Sequence, residues 1–158
     1  MLHRVTRPIT TSQGIEELDP AVPLHSTAVF LQIVSSLVTV GYERGKTVRG
    51  APYDFRFTPD AAGGQFVRRL RALVEESVST AGRRAIILTH SMGGLMMLYF
   101  LSQQTPQWKD EHVARWISLA SPFGGAAKEM RLFATGDPQG FPVAPSVVRA
   151  PPEPPDRK

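Results

Sequence analysis

The chain has 158 residues, enough for one domain with a sizeable buried core, and a composition ordinary for a globular protein, which argues against wholesale disorder. Its net charge of +4 comes with scattered arginines and no interleaved aromatics, so no nucleic-acid partner is expected, while a mild preference for anionic surfaces such as acidic lipid stays open. Cysteine is absent, which excludes disulfides and thiolate metal sites, and no cofactor and no metal is expected.

Residues 1–24 read as irregular, broken by Pro8, Pro20 and Pro23. Met1 to Val5 lacks the apolar core of a signal peptide. Ala28 to Val40 is the longest apolar stretch, but Gln32, Ser35 and Ser36 interrupt it and it is too short for a membrane span. Val29, Ile33, Leu37 and Val40 recur at helical spacing and predict a buried helix over His25 to Val40, ended by Gly41. Lys46 to Ala51 reads as a short strand leading into Pro52-Tyr53-Asp54-Phe55-Arg56, where Asp54 and Arg56 could pair or pin the loop. Phe66, Leu70, Leu73, Val74 and Val78 share one face of an amphipathic helix over Gln65 to Ser79, stopped by Gly82. A strand from Ala85 to Thr89 follows, then a helix from about Met92 to Gln104 that is apolar nearly all round, with Pro106 marking its end. Trp108 and Trp116 read as packing residues. Val113 to Leu119 is a third strand, closed by Ser121-Pro122-Phe123-Gly124-Gly125, and a last helix covers Ala126 to Ala134 and ends at Gly136.

Strands alternating with helices at these spacings imply right-handed crossovers and a mostly parallel sheet with helices on both faces, an α/β fold. With three strands, the expectation is a partial α/β-hydrolase domain over residues 1–141. Prolines at 142, 145, 151, 152, 154 and 155 then mark an extended or disordered tail over residues 142–158. So few strands leave unpaired edges and uncovered apolar faces, from which marginal stability and self-association through the exposed sheet edge are expected.

The chemistry concentrates at Ile86-Ile87-Leu88-Thr89-His90-Ser91-Met92-Gly93-Gly94. A β-branched run driving into His-Ser-Met-Gly and then an apolar helix is the layout of a nucleophile elbow, with a strained serine exposed at the carboxyl end of a parallel strand. Gly93 and Gly94 leave room on the helix side; Thr89 stands where such elbows commonly carry glycine. Ser91 is the candidate nucleophile, and the backbone N–H of Met92, next in sequence and at a helix start, is the candidate oxyanion donor. Phe123 is a candidate lining residue. The only upstream glycine before the first long helix is Gly14, which follows no convincing strand. The triad order of this fold is serine, acid, histidine, and after Ser91 the only histidine is His112, in a polar connector beside Asp110 and Glu111. His90 points away from the strand end, and Asp137 is a weak acid candidate. No complete triad is found.

Gly41-Tyr42-Glu43-Arg44, Gly50-Ala51-Pro52-Tyr53-Asp54-Phe55-Arg56, Thr89-His90-Ser91-Met92-Gly93, Thr105-Pro106-Gln107-Trp108-Lys109, Ser121-Pro122-Phe123-Gly124-Gly125 and Gly136-Asp137 stand in one order across residues 14–149. This set resembles the lecithin:cholesterol acyltransferase and lysosomal phospholipase A family. The resemblance implies an α/β-hydrolase that removes a fatty acyl chain from a glycerophospholipid, at a membrane surface, through a seryl ester, and passes it to water or a lipid alcohol. It assigns the nucleophile to Ser91 and one oxyanion amide to Met92, and it suggests a secreted or lysosomal protein. The family's first strand and Pro-Gly turn, its triad aspartate and histidine, and its cysteine-linked loop and lid have no counterpart here. The expectation is therefore a fragment or truncated isoform of a longer lipase, inactive alone. The alternative is a non-catalytic interaction module, because Pro152-Glu153-Pro154-Pro155-Asp156-Arg157 fits a P-x-x-P-x-R pattern that polyproline-binding domains dock.

Overall fold

The computed structural model describes residues 13–16, 30–55, 57–127, 130, 131 and 134. In chain order the elements are α1 (Gln13–Glu16), α2 (Leu31–Thr39), α3 (Ala61–Ala81), β1 (Ala85–His90), α4 (Gly93–Ser102), α5 (Pro106–His112) and β2 (Val113–Leu119). Ala127, Met130, Arg131 and Ala134 are helical, at positions of the expected last helix. The proline-rich tail, with its P-x-x-P-x-R pattern, lies outside the described residues, as do Arg56 and Asp137.

Each element follows from its local chemistry. α2 ends where the Tyr42 N–H reaches the Leu37 carbonyl and the Gly41 N–H reaches the Val38 carbonyl, a double-bonded cap that puts Gly41 at φ 99°. α3 starts a turn earlier than its apolar stripe and runs to Gly82. Between α4 and β2 the chain forms a helix, α5, in place of the expected polar connector. Thr105 caps it by accepting the Trp108 N–H at 3.2 Å, and Pro106 occupies its first turn.

β1 and β2 pair in parallel, Ile87 opposite Trp116 and His90 opposite Leu119. The register slips between Ala85 and Ile86, so that Val113 and Trp116, an odd number of residues apart, both turn toward the face that carries Ala85 and Ile87. The first expected strand in chain order, Lys46 to Ala51, is not one. Residues 43–48 close on themselves instead: the Val48 and Thr47 N–H groups both donate to the Glu43 carbonyl, and the Gly45 N–H donates to Val48. Arg44 and Val48 make an isolated bridge. A strand needs a partner edge, and this local turn satisfies the same backbone groups without one.

Helices α3, α4 and α5 gather on one face of the sheet. Leu70 and Val74 of α3, Met97 and Phe100 of α4 and Trp108 of α5 form one buried cluster against Ala85, Ile87, Val113 and Trp116. Phe100 has no exposure and meets Trp108 edge to face at 5.5 Å. The Trp108 indole N–H donates to Glu75 at 2.8 Å, Arg71 lies over the same ring and binds Glu75 in turn, and His112 stacks on the ring at 4.7 Å. This bracket joins α3 to α5. The opposite face is met at its carboxyl end by Phe30, edge-on to His90. Elsewhere it stays open, with Ile86 64% exposed and Ile117 and Leu119 exposed beside it. The expectation of helices on both faces is therefore corrected to one covered face among the described residues. Leu95 and Leu98 likewise leave the outer side of α4 exposed, so that helix is not buried all round.

Two measurements probe the bracket. Trp108→Ala should destabilise the fold by about 3–5 kcal/mol in chemical denaturation, as expected for truncating a buried tryptophan. Glu75 is held below its ordinary value of 4.5 by the Trp108 N–H first and by Arg71 next. Its contribution is present above that value and is lost as the pH falls through it and below, so the acid-side drop in melting temperature should be shallower in Glu75→Gln.

Candidate functional site

β1 drives toward α4 through only Ser91 and Met92. Reversing the chain in so few residues forces the corner into the left-handed region, and Ser91 sits there at φ 52° with an exposed side chain. Its N–H donates to the Leu119 carbonyl at 2.9 Å, one step beyond the paired end of β1. Its carbonyl accepts from Gly94 and so opens the first helical turn, while the Met92 carbonyl accepts from Leu95 and Met96. The Met92 N–H has no acceptor among the described residues. It lies at the N-terminus of α4, where the orphan donors and the helix dipole favour negative charge.

The residues on either side of the corner come close together. A Cβ placed on Gly93 would stand 3.8 Å from the Thr89 Cβ and 3.8 Å from the Tyr53 hydroxyl, ordinary contact distances. The tight approach is one residue on. A Cβ on Gly94 would run into Ser121 Oγ and stand 2.6 Å from Ser121 Cβ and 2.9 Å from Ser118 Oγ. Of the two glycines expected to make room, Gly94 is the one that has none to spare. Thr89 is buried and accepts the Trp116 indole N–H at 2.9 Å, which explains how a residue larger than glycine fits there.

The other candidates fall as follows. Phe123 is 53% exposed and stands edge-on to Trp116 at 5.9 Å, on the same sheet face as Thr89. His90 projects to the opposite face against Phe30, and His112 is occupied by the Trp108 ring and carbonyl, so neither is hydrogen-bonded to Ser91. Gly14 lies within α1, whose Glu16 carboxylate takes two hydrogen bonds from Arg44. Among the described residues, no three histidine, aspartate or glutamate side chains converge as metal ligands would, and no helix is long and apolar enough to cross a membrane.

Two residues beside the elbow escaped sequence reasoning. Tyr53 is half-buried against Phe66 at 5.7 Å, and burial pushes its hydroxyl above the ordinary value, so it stays a neutral donor across physiological pH. Ser121 presses on Gly94 from the end of β2. Both stand in segments that carry the family resemblance, but their place at the corner has no signal in a single sequence, because they reach it only through pairing and folding over long separations.

The family model for lecithin:cholesterol acyltransferase matches residues 4–150. The lysosomal phospholipase A and acyltransferase of Bos taurus is 42% identical over 139 residues, covering 87% of this chain and 33% of that protein. The phosphatidylcholine-sterol acyltransferase of Gallus gallus is 44% identical over 111 residues, 70% of this chain and 27% of that protein. That of Homo sapiens is 43% identical over 115 residues, 73% and 26%. The chain thus spans at most about a third of the length of these curated relatives.

The strain at the corner is measurable. Ser91→Gly should raise stability by about 1 kcal/mol, the relief of a left-handed serine less the added unfolded-chain entropy of glycine. Ser91→Val should lower it by about 1–3 kcal/mol, because a β-branched residue tolerates that φ worst. Denaturation midpoints of the two variants decide both.

Proposed function

Since the chain belongs to the lecithin:cholesterol acyltransferase family, we propose that it carries the nucleophile elbow of an α/β-hydrolase acting on glycerophospholipid as a phospholipase A and O-acyltransferase. The observation that supports this best is Ser91 itself, exposed at φ 52° between a parallel strand and a helix, beside a Met92 N–H that has no acceptor among the described residues. In this reading Ser91 Oγ attacks the ester carbonyl of the lipid and gives up its proton to a general base. The tetrahedral oxyanion is stabilised by the Met92 N–H at the head of α4. Collapse expels the lysophospholipid alkoxide, which recovers the proton, and leaves the acyl group on Ser91 as an ester. Water then yields a fatty acid, or a lipid alcohol yields a new ester. Phe123, exposed near the strand ends, contributes an apolar wall for the acyl chain.

The base and the carboxylate that orients it are assigned to the part of the family's length that these 158 residues do not cover. Of the described histidines, His90 turns to Phe30 on the other face, and His112 sits at the opposite end of β2 against the Trp108 carbonyl. Without those partners a serine nucleophile loses on the order of 10⁴- to 10⁶-fold in turnover.

Fatty acid release from phosphatidylcholine vesicles tests this reading. In the whole protein, Ser91→Ala should cut turnover by about 10⁴-fold or more; retention of activity rejects the assignment. With the 158 residues alone, the wild-type and Ser91→Ala polypeptides should give the same background, and serine-dependent release would show that the base lies within them.

A further inference from the structure

We propose that Ser121 is a positioning residue for the elbow, a hydroxyl wedge that sets the direction of the Met92 N–H by bracing Gly94. The proposal rests on the reading of Ser91 as nucleophile and adds to it the part of the chain that holds the oxyanion donor in place.

The geometry is that of a short segment gripped at both ends. At one end, the Ser91 N–H is held by the Leu119 carbonyl at 2.9 Å. At the other, the buried Cα of Gly94 rests against Ser121, whose Oγ fills the space a Gly94 side chain would need. Met92 and Gly93 lie between these two anchor points. The anchors themselves belong to one corner, Leu119-Ala120-Ser121, in which Ala120 takes φ 49° just as Ser91 takes φ 52°. Two neighbouring parallel strands thus end in two left-handed, non-glycine residues, each strained by its own turn. A strained pair persists only where the surroundings over-determine it, and here each corner is held by the other.

Ser121 is itself kept from rotating away. The Ser118 hydroxyl donates to it at 2.6 Å, and Ser118 lies within β2, paired with Thr89 two residues before the elbow. The wedge is therefore referenced to the same strand pair that presents Ser91. An oxyanion donor acts only within a few tenths of an ångström of its aim, and a displacement near 1 Å costs about 10²-fold. A side chain at Gly94 would meet a braced hydroxyl and the body of β2, so the helix start would have to move.

The test is steady-state kinetics on phosphatidylcholine vesicles, with fluorophosphonate labelling of Ser91, in the whole protein. Gly94→Ala should lower both kcat and the labelling rate about 10²-fold with KM within about twofold, because the lipid still binds. Adding Ser121→Gly removes both Ser121 atoms that the new methyl strikes and releases the Ser118 hydroxyl, 2.9 Å from that methyl, to turn aside, so it should recover about tenfold or more of that loss. Ser121→Gly alone introduces no clash and should fold; it should lower kcat about tenfold at unchanged KM by leaving the helix start unbraced. Unchanged kcat in Ser121→Gly, or a Gly94→Ala defect that the second change does not relieve, overturns the proposal. Activity surviving Ser91→Ala would instead overturn the underlying nucleophile assignment, so the two failures are told apart.

Discussion

The hydrogen bond from the Ser91 N–H to the Leu119 carbonyl carries the ladder of a parallel sheet one residue past the point where β1 stops being a strand. Everything at the site depends on that extension. It lets the backbone leave strand geometry at Ser91 with its N–H still paired, and it fixes the serine in a left-handed conformation that an isolated peptide would abandon. From there the helix must begin at once, which brings its unsatisfied N–H groups to the same corner as the hydroxyl.

The covered face of the sheet supplies the rigidity. α4 returns over β1 and buries Met97 and Phe100 against α3 and α5, with Trp108 as the hub. Trp108 joins apolar packing to a charged bracket: Phe100 meets its edge, while Arg71, Glu75 and His112 surround its ring and nitrogen. Such an arrangement lets a large aromatic be buried without orphaning its N–H. Among the described residues the other face leaves Ile86, Ile117 and Leu119 exposed.

Much of this was legible in the residues. The apolar stripe of α3, the β-branched run of β1 and the strand of β2 all appear where periodicity puts them, because each pattern is repeated several times within its own element. The corner at Ser91 was marked by the small residues that follow it. Where the reading failed, local competition decided. Lys46 to Ala51 has strand-like residues, but the Glu43 carbonyl collects two backbone N–H groups in a turn and no neighbouring edge is offered. The helix at Pro106 to His112 was readable from Thr105-Pro106, a cap and first-turn pair, yet its polar surface masked it. The expected second helical layer presumed that both faces of a parallel sheet would be covered, which is a statement about partners and not about the strands.

From the order of residues alone came α3, α4, the two paired strands, the corner between β1 and α4, and the family, since these rest on local propensity, short spacings and motifs in sequence. Folding in three dimensions decided which face is covered, that Gly94 and not Gly93 is the glycine without room, and that Ser121 and Tyr53 stand beside the elbow. Those contacts join residues about 27 to 40 positions apart through strand pairing and packing, and no spacing within a single chain encodes a distance that only the fold creates.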